Sequence, residues 1–200
     1  MGLGVNSTWL MPPIVVKAGG SLYDWPDLGP RLREFLASFP QHHAVLVPGG
    51  GKFTDAMRAV DQAHHLGEDM AHWLALHALT LAGRFLASLL PDARVVEGLN
   101  AARSVWKRGS ATILDMYRFA HGDDARPDHL PHTWDATSDS FAARVAKIAP
   151  AERLILLKST DPPADWQSPT AGYVDPLFAA TIAGAPFTVE AINLRNWRSA

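Results

Sequence analysis

Two short apolar runs, each leading directly into glycines, constrain this chain more than any other feature. Ile14-Val15-Val16 runs into Lys17-Ala18-Gly19-Gly20-Ser21, and Ala44-Val45-Leu46-Val47 runs into Pro48-Gly49-Gly50-Gly51. A strand with no polar face must be covered on both sides, which favours a parallel sheet between helices over a half-solvated antiparallel one. Helical spacing follows each loop, through Leu28, Leu32, Phe35, Leu36 and Phe39 after the first and Phe53, Met57 and Val60 after the second. Pro40 closes the first helix.

The rest of the chain continues the alternation. Gly67 breaks the second helix, Asp69 is placed to cap the next, and residues 70–90 read as one long helix. Its Trp73, Leu74, His77, Leu81 and Phe85 form a broad stripe. Residues 93–97 and 111–114 are short strand candidates. Residues 122–132 are polar and proline-bearing and read as a loop. Thr137 or Ser138 can cap a helix running to about Lys147, and Leu154-Ile155-Leu156-Leu157 is another continuous apolar strand. A loop over 162–169, a short helix over 175–183 and a last strand over 187–192 complete the pattern. The expectation is an α/β fold, a three-layer αβα sandwich with a mainly parallel central sheet. It forms a single domain over 1–200, with 1–12 as a loose N-terminal tail.

Composition narrows the function classes. Of 200 residues, 48% are apolar and 19% charged, a globular balance, and the formal charge of -2 gives no electrostatic case for nucleic acid or an anionic membrane. No apolar run is long enough for a membrane helix, and the first residues do not read as a signal peptide. The chain has no cysteine, which excludes disulfides, thiolate zinc sites and cysteine nucleophiles and suits the cytoplasm.

Glycines where strands end can present backbone N–H groups beside a helix N-terminus, a setting that stabilises phosphate. A single Gly-Gly pair is as well explained by a tight turn. Two such loops, one preceded by Lys17, favour phosphate. Neither loop is a Walker motif or a dinucleotide fingerprint. Asp139, in Trp134-Asp135-Ala136-Thr137-Ser138-Asp139-Ser140, falls in the first turn of a helix. It either complements the helix dipole or holds Lys17 in place.

Taken together, Val16 to Ser21, Val47-Pro48-Gly49-Gly50-Gly51-Lys52-Phe53, Thr137-Ser138-Asp139 before a helix, and an apolar strand into Thr160-Asp161 resemble the amino-acid-kinase family. His132 to Ser140, Asp55-Ala56-Met57-Arg58 through Asp61, Ala71-His72 and Val174-Asp175-Pro176-Leu177-Phe178 are similar to its furan phosphate kinase branch, which serves methanofuran biosynthesis. The resemblance implies ATP-dependent phosphoryl transfer to a small phosphorylated alcohol, with Mg²⁺ bridging the ATP phosphates. Lys17, Gly19, Gly20, Ser21, Lys158 and Asp161 would hold the nucleotide. Gly49, Gly50, Gly51, Arg58 and Ser138 would hold the acceptor, and Lys17 with Asp139 would carry the transfer. For Arg58, Lys158 and Asp161, solvated charges are the competing reading. The family's Asp-x-Asp-Gly-like turn is missing, because Thr160-Asp161-Pro162-Pro163 has no glycine, and the adenine-binding segment after it is short. That departure keeps two alternatives open: a catalytically weak binding or assembly protein with the kinase fold, and a kinase for a carboxylate or a nucleotide monophosphate. Family members commonly pair through helices, and the apolar breadth of residues 70–90 points to a homodimer or larger.

Nine histidines raise the question of metal. His64, His65, His72 and His77 lack the spacing of a helical zinc motif. His121, Asp123, Asp124, His129 and His132 gather in one segment, which reads as a solvated polar loop with a structural metal as the alternative.

Overall fold

The structure, a computed structural model, describes residues 12–106 and 110–199. The expected tail over 1–12 lies outside them but for its last residue. Six strands form one parallel sheet: β1 (Ile14–Ala18), β2 (Ala44–Pro48), β3 (Arg94–Val96), β4 (Thr112–Leu114), β5 (Arg153–Lys158) and β6 (Thr188–Asn193), in the order β3-β4-β2-β1-β5-β6. The helices are α1 (Leu28–Ala37), α2 (Lys52–His64), α3 (Glu68–Leu89), α4 (Leu99–Trp106), α5 (Met116–Asp123), α6 (Ser138–Ile148) and α7 (Phe178–Ile182). The αβα sandwich read from the strand pattern is the fold observed.

Strand alternation divides the core in two. Val15, Val45, Val47, Leu154 and Leu156 face one side, where Phe141, Ala142, Val145 and Ala146 of α6 cover them. Ile14, Val16, Leu46, Ile155 and Leu157 face the other, against Leu28, Leu32 and Phe35 of α1 and Leu86 near the end of α3. The central strands are buried throughout, which is why they read as unbroken apolar runs. Period two also decides where the lysines point. Lys17 follows Val15, and Lys158 follows Leu154 and Leu156, so both ammonium groups lie on the α6 side of the sheet.

Some local expectations differ. Gly67, with φ of 85°, is the N-cap of α3, and Asp69 sits in the first turn without capping it. Its carboxylate accepts instead from Trp73 Nε1 at 3.2 Å and pairs with His132. The helices α4 and α5 were not signalled by any long periodic run. Each is eight residues, too short for the pattern to separate from a loop. Gly122 and Asp123 therefore belong to α5, and the irregular segment starts after them. The helix expected over 175–183 begins only at Phe178, because Asp175 caps a different helix. Among the described residues no helix is long and apolar enough to cross a membrane.

Candidate active site

The site lies at the carboxyl ends of β1, β2 and β5, where ligands bind in open α/β sheets. Its centre is the Asp139 carboxylate in the first turn of α6. Lys17 Nζ is 2.8 Å from one oxygen and Lys158 Nζ 2.8 Å from the other. All three side chains are largely buried, with Lys17 at 5% and Asp139 at 7% exposure. Burial alone would push the Asp139 carboxyl up, but Lys17 and Lys158 outweigh it and hold the pKa below the usual carboxylate range. Lys158 is pulled down to about 8, by burial first and then by repulsion from Lys17, against the pull of Asp139. The Lys158 ammonium also donates to the Tyr173 carbonyl at 2.8 Å. Two cations thus share the one Asp139 carboxylate.

Those loops pack backbone on backbone. A Cβ built on Gly20 would lie 2.1 Å from Gly51 N, and one on Gly49 would lie 2.4 Å from Gly20 N. Gly51 has φ of 52°, a conformation that an L side chain rarely adopts. The N–H of Gly19 donates to the Leu157 carbonyl at 2.8 Å, and that of Gly49 to the Ala18 carbonyl at 2.8 Å. These two amides fasten the loops to the strands. The N–H groups of Gly20, Gly50 and Gly51 have no hydrogen-bond partner among the described residues and remain available to an anion. Tyr23, which no sequence motif marks, donates its hydroxyl to the Gly49 carbonyl at 2.7 Å and so clamps the second loop; burial pushes its pKa well up. Ser21 and Ser159 share a hydroxyl hydrogen bond of 2.8 Å that joins the first loop to the end of β5.

A second residue that sequence alone did not assign is Asp175. One of its carboxylate oxygens accepts from Thr137 N at 3.1 Å, Thr137 Oγ1 at 2.7 Å and Ser140 N at 2.9 Å, and the other from Ser140 Oγ. It is a cap supplied from outside α6, since the N-cap Thr137 makes no capping bond with its own side chain. Asp175 thereby fixes the turn that carries Asp139. Asp175→Ala strands the buried amide of Ser140 and is expected to cost ~2 kcal/mol or more, above an ordinary surface cap. Chemical denaturation measures it, and a loss under half that size would show that α6 holds its own end.

Beside the second loop, a cavity of about 60 Å³ is lined by Gly50, Thr54, Arg58, His72, Leu76, Trp134, Ser138 and Phe141. Arg58 lies over the Trp134 ring, 4.3 Å from its centre, and the Trp134 indole N–H donates to Asp61 at 2.8 Å. Arg58 and Ser138 thus line one cavity with Gly50 of the second loop. Asp161 is placed differently: its carboxylate accepts from Asn193 at 3.0 Å and Asn196 at 3.2 Å, in the C-terminal segment. It is not part of the lysine cluster.

His72 closes the inner wall of this cavity and stacks on His132, with centres 4.3 Å apart. Burial, followed by the charge of His132, pulls His72 down to about 4, so it is neutral at pH 7. Burial also acts to lower His132, but hydrogen bonds to Asp69 and Asp124 outweigh it and hold its pKa above the ordinary value.

Residues 12–162 match the sequence profile of the amino acid kinase family. The chain belongs to the amino acid kinase family. Over 148 residues, 74% of the chain, this family member is 28% identical to the [5-(aminomethyl)furan-3-yl]methyl phosphate kinase of Methanocaldococcus jannaschii. The match spans 66% of that enzyme's length, just under two thirds. Its fold is similar to the uridylate kinase of Archaeoglobus fulgidus, with a TM-score of 0.65, 19% identity and 93% of each chain covered. It is likewise similar to the UMP kinase of Ureaplasma parvum, with a TM-score of 0.64, 13% identity, and 92% of this chain and 91% of that one covered.

Proposed function

We propose that this kinase-family chain transfers the γ-phosphoryl group of ATP to a small phosphorylated alcohol, with an aminomethylfuran-methyl phosphate as the favoured acceptor and its diphosphate as product. The observation that carries the reading is the convergence of Lys17 and Lys158 on Asp139, each at 2.8 Å, where both glycine loops meet. An ionised acceptor oxygen forms the new bond to the γ-phosphorus while the β,γ-bridging bond breaks and its electron pair leaves with ADP. No covalent enzyme intermediate and no protein base are needed; positioning and charge neutralisation carry the step. Lys17 and Lys158 offset the negative charge of the transferring group, and the amides of Gly20, Gly50 and Gly51 orient phosphate oxygens. Mg²⁺ enters with ATP as part of the substrate. Each Asp139 oxygen is paired with an ammonium group, so the ion would be held by the ATP phosphates rather than by this carboxylate. The apolar wall of Leu76 and Phe141, with Arg58 on the Trp134 face, suits a small ring bearing a phosphate.

The test is ADP release over a panel of acceptors: the furan phosphate, a nucleoside monophosphate, an amino-acid carboxylate and a plain alkyl phosphate. The reading expects the furan phosphate to be turned over best. Preference for the nucleotide or the carboxylate would overturn the acceptor, and no turnover with any acceptor would overturn the kinase. A second reading, a phosphate-binding or assembly protein with the kinase fold, is favoured by Asp161 being tied to Asn193 and Asn196 rather than to the lysines. It predicts phosphate binding without ADP release.

Lys158 sets a pH dependence. Its ammonium, held at about 8 in the free protein, is charged below that pH and is lost above it. The kcat/KM for ATP should therefore fall as pH rises through about 8. Lys158→Arg, charged throughout, should show a lower but flat profile over the same range. A descending limb that persists in the arginine variant would assign the limb to another group.

We also propose self-association through α3. Met70 and Leu81 are 55% and 54% exposed. They stand eleven residues, or about three helical turns, apart and share one face. Leu81→Glu should convert a dimer to a monomer in light scattering at micromolar concentration. A monomeric parent protein would contradict the proposal.

A further inference from the structure

The polar segment after α5 does more than meet solvent. Of the six His and Asp residues between 121 and 132, three have other partners. Asp123 and Asp128 are held by Arg144 at 2.7 and 2.6 Å, and His121 packs against Tyr117 and Trp73. Asp124, His129 and His132 remain, and one ligand atom from each lies within 4.8 Å of the others. His132 Nε2 is 2.8 Å and His129 Nδ1 3.5 Å from the same Asp124 oxygen.

His132 is oriented from behind. Its Nδ1 is 2.6 Å from Asp69 Oδ1 in the first turn of α3. With Nδ1–H donated to Asp69, the proton that Nε2 shares with Asp124 is the one an incoming cation would displace, leaving the Nε2 lone pair and the Asp124 oxygen as ligands. A carboxylate behind a ligating imidazole is the arrangement that commonly orients metal-binding histidines. The ring is held in plane by stacking on His72. Two carboxylates, Asp69 and Asp124, therefore flank one imidazole, an excess of negative charge that a divalent cation would offset. The Leu130 carbonyl, 2.8 Å from His129 Nδ1, adds an oxygen beside the set.

We propose that Asp124, His129 and His132 bind a borderline divalent transition-metal ion of the zinc type, with Asp69 orienting His132. Two imidazoles and one carboxylate suit zinc, and the hard Mg²⁺ ion, which prefers oxygen and keeps its waters, does not suit them. The ion would close the loop between Asp124 and His132. The next two residues, Thr133 and Trp134, line the cavity beside the second glycine loop, as does His72. The site thus fixes one wall of that cavity, apart from the lysine centre and independent of whether the chain is a kinase.

The experiment is calorimetric titration of the full chain, stripped with a chelator and dialysed, with zinc and separately with magnesium. Thermal melting with and without zinc accompanies it. The expected result is one zinc per chain, a melting temperature that rises with zinc, and no response to magnesium. His129 is partly exposed, so His129→Ala should fold normally while weakening zinc binding by about 100-fold and abolishing the thermal shift. Asp69→Asn should weaken it by about 10-fold, as expected for a residue that acts through its neighbour. A His65→Ala control should change nothing. No zinc binding, equal binding by wild type and His129→Ala, or loss of binding in His65→Ala would overturn the proposal. The last two would mark zinc as an adventitious ion only.

Discussion

Asp139→Asn is expected to lower the melting temperature by about 10 °C as well as turnover by ~100-fold or more, because it leaves two buried ammonium groups facing an uncharged amide. An acid that only complements the helix dipole would tolerate asparagine at small cost. The geometry excludes that role alone, since Asp139 is buried and each of its oxygens meets a lysine at 2.8 Å. Lys17→Met is the informative partner. It removes one cation and leaves Asp139 neutralised by Lys158, so the melting temperature should stay within a few degrees. Turnover should still fall by about 100-fold or more, as for loss of other electrostatic stabilisers. Stability and catalysis thus separate between the two variants. The two substitutions should also combine non-additively in turnover, since they act on one unit. A wild-type melting temperature for Asp139→Asn would show that the three charges are not coupled.

The second large effect is steric. Gly20→Ala places a Cβ 2.1 Å from Gly51 N, backbone against backbone, so neither side can yield by rotating a side chain. Either the loops separate or the fold is lost, and the amides of Gly20, Gly50 and Gly51 no longer face one ligand. Activity should fall below detection, and ATP binding should weaken with it. Gly98→Ala is the matched control, with nothing within 4 Å of the added carbon, and should leave both unchanged. Gly50 is intermediate, because its Cβ would meet only the Thr54 side chain, at 2.0 to 2.8 Å, so α2 must shift but no loop backbone is struck. Gly50→Ala should therefore impair less than Gly20→Ala. Equal activity in Gly20→Ala and Gly98→Ala, measured as ADP release, would refute the loop contact.

What the sequence makes legible follows from range. The unbroken runs at β1, β2 and β5 announce strands covered on both faces, and the alternation of run and helix announces the sandwich. Lys17 and Asp139 are connected by the family resemblance, not by any local signal, because 122 positions separate them and only the packing of α6 on β1 brings them together. Lys158 carried a readable hint: it continues the alternation of Leu154 and Leu156, which puts it on the face of Lys17. Asp175 carried none. Its residue type and its following proline suggest a turn, while its partners, Thr137 and Ser140, lie 38 and 35 positions away. Glycines at strand ends point to amides presented to phosphate. The geometry adds that Gly19 and Gly49 use their amides to fasten the loops, a division that depends on the strand carbonyls opposite them. The stack of His72 on His132 joins α3 to a segment without regular structure, and no pattern in either foretells it.

The most direct test of the proposed phosphoryl-transfer centre is calorimetric titration of magnesium ATP into the wild-type chain and into Lys17→Met. Saturable binding of one nucleotide per chain is expected in the wild type, clearly weakened in Lys17→Met at a melting temperature within a few degrees of the wild type. No heat of binding to the wild type at millimolar nucleotide, or equal affinity in the two proteins, would contradict it.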